Sequence, residues 1–307
     1  MTATFDHLVL TRFSAILPGQ TEPLPEDWLR YRLQFFYDTA YPSLAAQQGA
    51  ARFQWLVFFD DRCSAAFRAE VQELSAGVFE PVWTHEPFRL SACAKAVSKR
   101  ARSAHLITTR VDSDDAVSTD FIASVQEQFE HQDLVFVNFA RGFQIDRSGS
   151  VYVRTQPSSP FLSLIEHRVE GSVPLTVFAS KHHLARRLAP IREVRSAPMW
   201  VQVVHGGNVS NVVEGRRVSP DLIDERFVLT LPFRRDVGTP ELVREQFTHS
   251  ARLAHEWVRH PGRLTATAEA TLMRRRGTHV VRQGDGRSLT DVARDLGRRL
   301  GYRTDGP

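Results

Sequence analysis

The sequence has few cysteines and no long apolar run. Its 307 residues include only Cys63 and Cys93, whose wide separation matches neither a zinc-site nor a redox spacing. A disulfide scaffold and a zinc finger are therefore excluded, and we expect two reduced thiols in a cytoplasmic protein. The apolar stretch at residues 7–17 is interrupted by Arg12 and followed by Pro18, so we expect neither a signal peptide nor a membrane span.

The sequence also has few lysines and lacks a glycine-rich phosphate-binding loop. No phosphate-binding P-loop pattern occurs, which excludes that class of nucleotide-binding protein. Arginine supplies 36 of the 39 basic residues, and residues 261–307 carry 10 arginines against 5 acidic side chains. A basic tail can bind nucleic acid, anionic lipid or an acidic partner, but the arginine bias of the whole chain favours a solvated tail. We therefore expect no nucleic-acid partner and at most peripheral contact with a membrane.

The rest of the composition is that of a folded protein, with 42% hydrophobic and 24% charged residues. Short apolar runs typical of strands alternate with segments that have helical spacing of apolar residues. The runs lie at residues 7–13, 55–59, 79–83, 105–111 and 134–137, and the helical segments at 28–41, 67–74, 91–103 and 120–131. This alternation predicts a largely parallel sheet in an α/β domain.

The second half has a different pattern. Short strands with turns are predicted from residue 138 to 153, further strands at 173–179 and 199–204, and a helix at 181–188. A long amphipathic helix is predicted at 240–259, and loosely attached helices or disorder after Gly262. The predicted organisation is a catalytic unit at residues 1–238 and, at 239–307, a C-terminal helix with a flexible basic tail.

The most informative feature is an acidic cluster directly after the strand at 105–111. Asp112, Asp114 and Asp115 repel one another unless a cation or basic groups compensate them. A hard divalent ion, Mn²⁺ or Mg²⁺, suits carboxylate oxygens and can also hold phosphate oxygens. The alternative is an acidic turn that caps the helix beginning near Asp120.

This succession of strand, Asp-x-Asp-Asp and helix resembles the Asp-x-Asp motif of GT-A glycosyltransferases. Segments 10–14, 55–60, 108–115 and 160–166 further resemble the bacterial "putative rhamnosyltransferase" family, and the resemblance covers about residues 5–212. It implies a GT-A-like fold, that of nucleotide-diphospho-sugar transferases, with a mostly parallel central sheet flanked by helices and a C-terminal helical extension. A donor-binding half at about 5–135 and an acceptor half at about 136–238 are expected.

The resemblance also implies roles for individual residues. Residues expected to bind the nucleotide sugar are Thr11, Arg12, Phe13, Asp60, Lys99, Arg100, Asp112 and Ser113. The metal ligands would be Asp112 and Asp114, with His205 as an additional ligand because it follows a strand and precedes a glycine pair. The alternative for His205 is a histidine that supports a tight turn.

An inverting transfer needs a general base that deprotonates the acceptor hydroxyl, usually a carboxylate. Asp115 and Glu166 are the two candidates, whereas a retaining enzyme would need no base in the same place. Replacing Asp112 or Asp114 by Asn is expected to abolish transfer. Stability should be unchanged or raised, because one repelling charge is removed.

The predicted function is metal-dependent transfer of a sugar, rhamnose or another deoxyhexose, from a nucleotide-diphosphate donor to a hydroxyl of a glycan, lipid or natural product. Two alternatives stay open. A metal-dependent phosphoesterase or nuclease would use the same carboxylates, with Asp60 and Asp61 as the second acidic pair that a two-metal site needs. A non-catalytic binding protein would act through the basic tail, which leaves the acidic cluster without a role.

Overall fold

The computed structural model describes residues 4–17, 19–169, 172–205, 213–235, 238–259, 268 and 279–281. Its strands are β1 (Phe5–Arg12), β2 (Gln54–Asp60), β3 (Glu80–Thr84), β4 (His105–Arg110), β5 (Ala116–Val117), β6 (Leu134–Phe139), β7 (Arg141–Ile145), β8 (Val151–Thr155), β9 (Ser163–His167), β10 (Ile191–Val194), β11 (Trp200–Val203), β12 (Arg216–Val218) and β13 (His279–Val281). Its helices are α1 (Glu26–Asp38), α2 (Ala40–Ala45), α3 (Ala65–Ser75), α4 (Leu90–Ser98), α5 (Phe121–Gln126), α6 (Asp221–Asp224) and α7 (Thr239–Arg259), with 3-10 segments at Val177–Ala179 and His182–Arg187.

The main sheet has eight strands in the order β13-β10-β6-β9-β4-β1-β2-β3. Strands β1 to β4 are parallel neighbours, and β10 is parallel to β6. Strand β9 lies antiparallel between β4 and β6. All four strands predicted near residues 7–13, 55–60, 105–111 and 134–138 belong to this sheet, so the prediction of a mixed α/β fold with a mostly parallel sheet is confirmed.

Helices cover both faces of the main sheet, which is why its strands are continuous apolar runs. Because side chains alternate along a strand, Val9 faces one layer while Leu8 and Leu10 face the other. The first core cluster joins the sheet to α1, α3 and α5, and the second joins it to α4 and the 3-10 segments. Helix α3 begins after Ser64, whose hydroxyl accepts the Phe67 N–H at 3.1 Å.

A second sheet has the order β12-β8-β7-β11-β5. Because β5 follows the acidic cluster and β4 precedes it, the cluster lies where the two sheets meet. Trp200 of β11 stacks on Phe161 with ring centroids 5.0 Å apart and donates its indole N–H to the Phe139 carbonyl at 2.7 Å. Gly142 of β7 makes room for this indole, since a Cβ there would lie 2.0 Å from a Trp200 ring carbon.

Several predicted elements differ in the structure. Residues 173–179 contain a 3-10 turn rather than a strand, because the buried Glu166 carboxylate binds the Leu175 and Thr176 N–H groups that a strand would pair. The helix predicted at 181–188 is a 3-10 segment, and the helix predicted at 120–131 ends at Gln126. The strand predicted at 199–204 is confirmed as β11.

The C-terminal part contains the predicted helix and one strand that was not predicted. Helix α7 confirms the long helix and contacts β12 through Arg217, whose Nε lies 3.2 Å from a Glu245 oxygen. Residues 279–281 were expected in a loose tail but form β13, which pairs antiparallel with β10 at the edge of the sheet. Most other residues after Arg259 lie outside the described part of the chain. Among the described helices, none is both long and apolar enough to span a membrane.

Candidate functional site

The candidate site lies at the carboxyl edge of the parallel strands, where open α/β sheets bind ligands. Strands β1, β2 and β4 end there at Arg12, Asp60 and Arg110. Asp112 comes two residues after β4, as predicted for the acidic cluster. The Asp115 N–H bonds the Asp112 carbonyl at 3.2 Å, so the cluster is a tight turn at the strand end.

Two arginines hold Asp112. The Arg110 guanidinium donates to both carboxylate oxygens, at 3.1 and 2.5 Å, and an Arg12 nitrogen lies 3.7 Å away. Burial alone would raise the pKa of Asp112, but the charge and hydrogen bonds of Arg110, together with Arg12, keep it below its ordinary value.

Aromatic rings fix the orientation of these two arginines. The Arg12 guanidinium lies 5.2 Å from the Phe178 ring centroid and 5.8 Å from that of Phe88, and Arg110 lies 5.7 Å from Phe178. The Arg12 Nε is buried and has no hydrogen-bond partner. Burial accordingly lowers the pKa of Arg12, although Asp112 opposes the shift.

Asp114 is held by two other groups. Its Oδ2 accepts a hydrogen bond from Arg32 at 2.8 Å and lies 2.9 Å from the His205 Nε2. Arg32 also donates to the Ser113 hydroxyl at 2.8 Å. Burial would raise the pKa of Asp114, but the His205 hydrogen bond and the Arg32 charge lower it to about 2.

The structure thus places His205 beside the motif; its predicted role as a metal ligand stays a prediction. Its ring stacks on Phe35 with centroids 4.2 Å apart and planes at 14°, and the Tyr31 hydroxyl lies 3.4 Å from its Nδ1. The glycine pair that follows His205 in the sequence lies outside the described residues. Sequence reasoning missed Arg32, Tyr31 and Phe35, all on α1. The available signal was a polar and aromatic face on the helix that follows β1.

Asp115 is tied to the second sheet. It is buried, and its carboxylate accepts the Val203 N–H at 3.1 Å. Burial and the neighbouring charges of Asp114 and Asp112 raise its pKa well above the ordinary value. This bond fixes β11, and with it His205, beside the cluster.

Three predicted site residues lie at the opposite, amino edge of the sheet. Glu166 pairs in register with Leu106 and Leu134, near the starts of β4 and β6. Its carboxylate accepts the Leu175 and Thr176 N–H groups, and burial raises its pKa to about 7. Lys99 and Arg100 follow α4, which runs antiparallel to the strands, and Arg100 pairs with Glu80 at the start of β3.

Thr11, Phe13 and Asp60 lie at or next to the ends of β1 and β2 at the carboxyl edge, but their side chains contact other groups of the protein interior. The Thr11 hydroxyl donates to the Val111 carbonyl at 2.7 Å and accepts the Trp55 indole N–H at 2.9 Å. Phe13 is buried among the aromatic rings of Phe36, Phe59 and Phe67. Burial would raise the pKa of Asp60, but hydrogen bonds from Arg62 lower it.

The donor set does not fit the expected Mn²⁺ or Mg²⁺ ion. The Asp112 and Asp114 oxygens face guanidinium N–H groups, which cannot ligate a metal. Within the described residues, no group of three or more His, Cys, Asp or Glu side chains could hold a metal ion. The Asp60 and Asp61 carboxylates are engaged by Arg62 and His85 rather than by a second acidic group. This arrangement favours neither a divalent ion nor the two-metal hydrolase.

One protein family has a model that matches this sequence. The family model described as "Putative rhamnosyl transferase" matches residues 8–217. A comparison with curated proteins gives no match.

Several solved structures are similar at low identity. The TarS 1–349 fragment of S. aureus in complex with UDP-GlcNAc has a TM-score of 0.38 and 15% identity, covering 71% of this chain and 64% of that one. The same fragment with UDP has a TM-score of 0.35, 15% identity and coverages of 72% and 62%. HddC from Yersinia pseudotuberculosis has a TM-score of 0.28, 12% identity and coverages of 53% and 76%. The chain therefore spans less than two thirds of these TarS fragments, and such low TM-scores do not bear on activity.

Proposed function

This chain belongs to the "Putative rhamnosyl transferase" family, and we propose that it is a glycosyltransferase whose donor is a nucleotide-diphosphate sugar bound at the carboxyl edge of the main sheet. The observation that carries the proposal is the pair Arg12 and Arg110, fixed by Phe88 and Phe178 at the strand ends. Guanidinium groups bind phosphate oxygens bidentately, and the Arg12 side chain is 32% exposed at this place.

The chemistry follows from where charge develops. When the sugar leaves the nucleotide, negative charge accumulates on the departing diphosphate, and fixed cations beside it stabilise the transition state. Arg12 and Arg110 supply such cations. Asp112 lies between them, hydrogen-bonded to Arg110 and 3.7 Å from an Arg12 nitrogen.

The part of the site around Asp114 and His205 would bind the sugar and the acceptor. Asp114 and His205 form a buried polar pair beside the motif, supported by Arg32 and stacked on Phe35. Of the two general bases that the sequence suggests, Asp115 belongs to this cluster and Glu166 does not. The acceptor in the proposal is a hydroxyl of a glycan, lipid or natural product, and the sugar is rhamnose or another deoxyhexose.

A thermal-shift series with UDP, GDP, dTDP and CDP tests the proposal on the full chain. One nucleotide should raise the melting temperature, because a ligand that binds only the folded state stabilises it by mass action. The Arg110→Met variant should lose this shift. The matched control Arg141→Met, at an exposed arginine of β7, should keep it.

The same nucleotide linked to a deoxyhexose should be consumed when acceptors are supplied, with release of the nucleoside diphosphate. If none of the four nucleotides stabilises the protein, with or without added Mn²⁺, the proposed donor class is wrong.

A further inference from the structure

We propose that the donor diphosphate is bound directly by arginine side chains, with Arg12 and Arg110 in the role that a divalent cation would have. This inference rests on the proposed function, since it concerns the same donor. It replaces the sequence-based expectation of Mn²⁺ or Mg²⁺.

The charges of the cluster are already balanced by the protein. The Asp112 carboxylate lies beside the guanidinium groups of Arg12 and Arg110, and the Asp114 carboxylate lies beside that of Arg32. Arginine stays protonated at all pH values that a folded protein experiences. The cations that offset the acidic motif are therefore permanent, and a divalent ion at the same place would meet them at close range and be repelled.

The geometry leads to the same conclusion. Mg²⁺ requires about six oxygen ligands in a near-octahedral arrangement. The Asp114 Oδ2 is instead within hydrogen-bond distance of an Arg32 nitrogen and the His205 Nε2, at 2.8 and 2.9 Å. A metal at this oxygen would displace Arg32, whose side chain is only 12% exposed, and leave a largely buried cation without its carboxylate.

Arg12 has a hydrogen-bond donor that no protein group uses. Its nearest contact with Asp112 is 3.7 Å, longer than a hydrogen bond, and its Nε is buried without an acceptor. An unpaired buried donor costs free energy, and the aromatic rings of Phe88 and Phe178 prevent the side chain from turning away. The Arg12 side chain is 32% exposed, so an oxyanion can reach its guanidinium group, and a diphosphate is long enough to contact Arg110 as well.

The test is calorimetric titration of the full chain with UDP, GDP, dTDP and CDP, once in excess EDTA and once in excess Mn²⁺. We expect one nucleotide to bind in EDTA with a Kd within about threefold of its value in Mn²⁺. Arg12→Met should weaken that binding by about 10-fold to 100-fold, the effect of losing a charge-assisted hydrogen bond. Arg141→Met should bind like the wild type, and Arg12→Lys, which keeps the charge, should lose less than Arg12→Met.

The outcomes separate the two proposals. Binding that needs Mn²⁺, or that Mn²⁺ strengthens by more than about 10-fold, overturns the direct arginine contact and leaves the donor class intact. Wild-type affinity of a folded Arg12→Met variant in EDTA also overturns it. Absence of binding in both buffers shows that the proposed function itself is wrong.

Discussion

Arg32 of α1 and Asp114 of the acidic motif form an ion pair with a nitrogen–oxygen distance of 2.8 Å, although 82 residues of sequence separate them. Both side chains are largely buried, with exposed fractions of 12% and 8%. The motif is therefore part of the packing between α1 and the sheet. This contact reverses the expectation that neutralising Asp114 leaves the stability unchanged or raises it.

Asp114→Asn should lower the free energy of unfolding by about 2–4 kcal/mol, because it leaves the buried Arg32 without a carboxylate. Chemical denaturation followed by circular dichroism measures the change. The control is Asp133→Asn, at an exposed carboxylate, which should change stability by less than about 0.5 kcal/mol. An Asp114→Asn protein as stable as the wild type would contradict a structural role for the ion pair.

Thr11→Val should weaken the fold and leave donor binding unchanged. The substitution keeps the shape of the side chain but leaves the Trp55 indole N–H and the Val111 carbonyl unpaired in the core. A loss of about 1–3 kcal/mol is expected, with nucleotide affinity by calorimetry equal to that of the wild type. Thr248→Val, on the exposed side of α7, is the matched control for the fold. If the Thr11 variant kept full stability but lost affinity, the hydroxyl would belong to the donor site after all.

Glu166→Gln should change how stability depends on pH. The folded pKa is raised from 4.5 to about 7, mainly by burial, so the folded state holds its proton more tightly than the unfolded state. The free energy of unfolding therefore falls as the pH rises from about 4.5 to about 7, by an amount on the order of 3 kcal/mol from this group. The variant cannot ionise and should lack this part of the slope.

The same variant distinguishes the two candidate bases. Because Glu166 lies at the amino edge of the sheet, Glu166→Gln should retain sugar transfer at a temperature where it is folded. A folded variant without transfer activity would restore Glu166 as a catalytic candidate, and a pH slope equal to that of the wild type would show that its pKa is not raised.

Gly142→Ala should disrupt the second sheet, because the added Cβ would overlap the buried Trp200 ring at 2.0 Å. We expect a loss of about 3 kcal/mol or more, or a failure to fold, together with altered tryptophan fluorescence. Gly238→Ala meets only a Pro240 side-chain atom at 3.7 Å and should be tolerated. Equal stability of the two variants would show that Trp200 does not pack as described.

Local pattern in the sequence determined the strands β1, β2, β4 and β6, the long helix α7 and the position of the acidic motif. A run such as the one that forms β4 is buried on both faces, so its apolar composition alone identifies it, and polar residues directly after it must lie at the carboxyl edge. Side-chain direction is harder to predict. Thr11 precedes Arg12 by one position and therefore points into the core, while Arg12 faces the site.

Tertiary structure alone decided which groups meet. Strand β9 runs antiparallel between β4 and β6, a direction that its apolar pattern does not encode, and this takes Glu166 to the edge opposite the motif. The partners of the motif, Arg32 and His205, come from α1 and from the end of β11, elements brought beside it by the packing of α1 and the two sheets. Charge balance at Asp114 depends on these long-range contacts, so the sequence showed the carboxylate but not the Arg32 guanidinium that pairs with it.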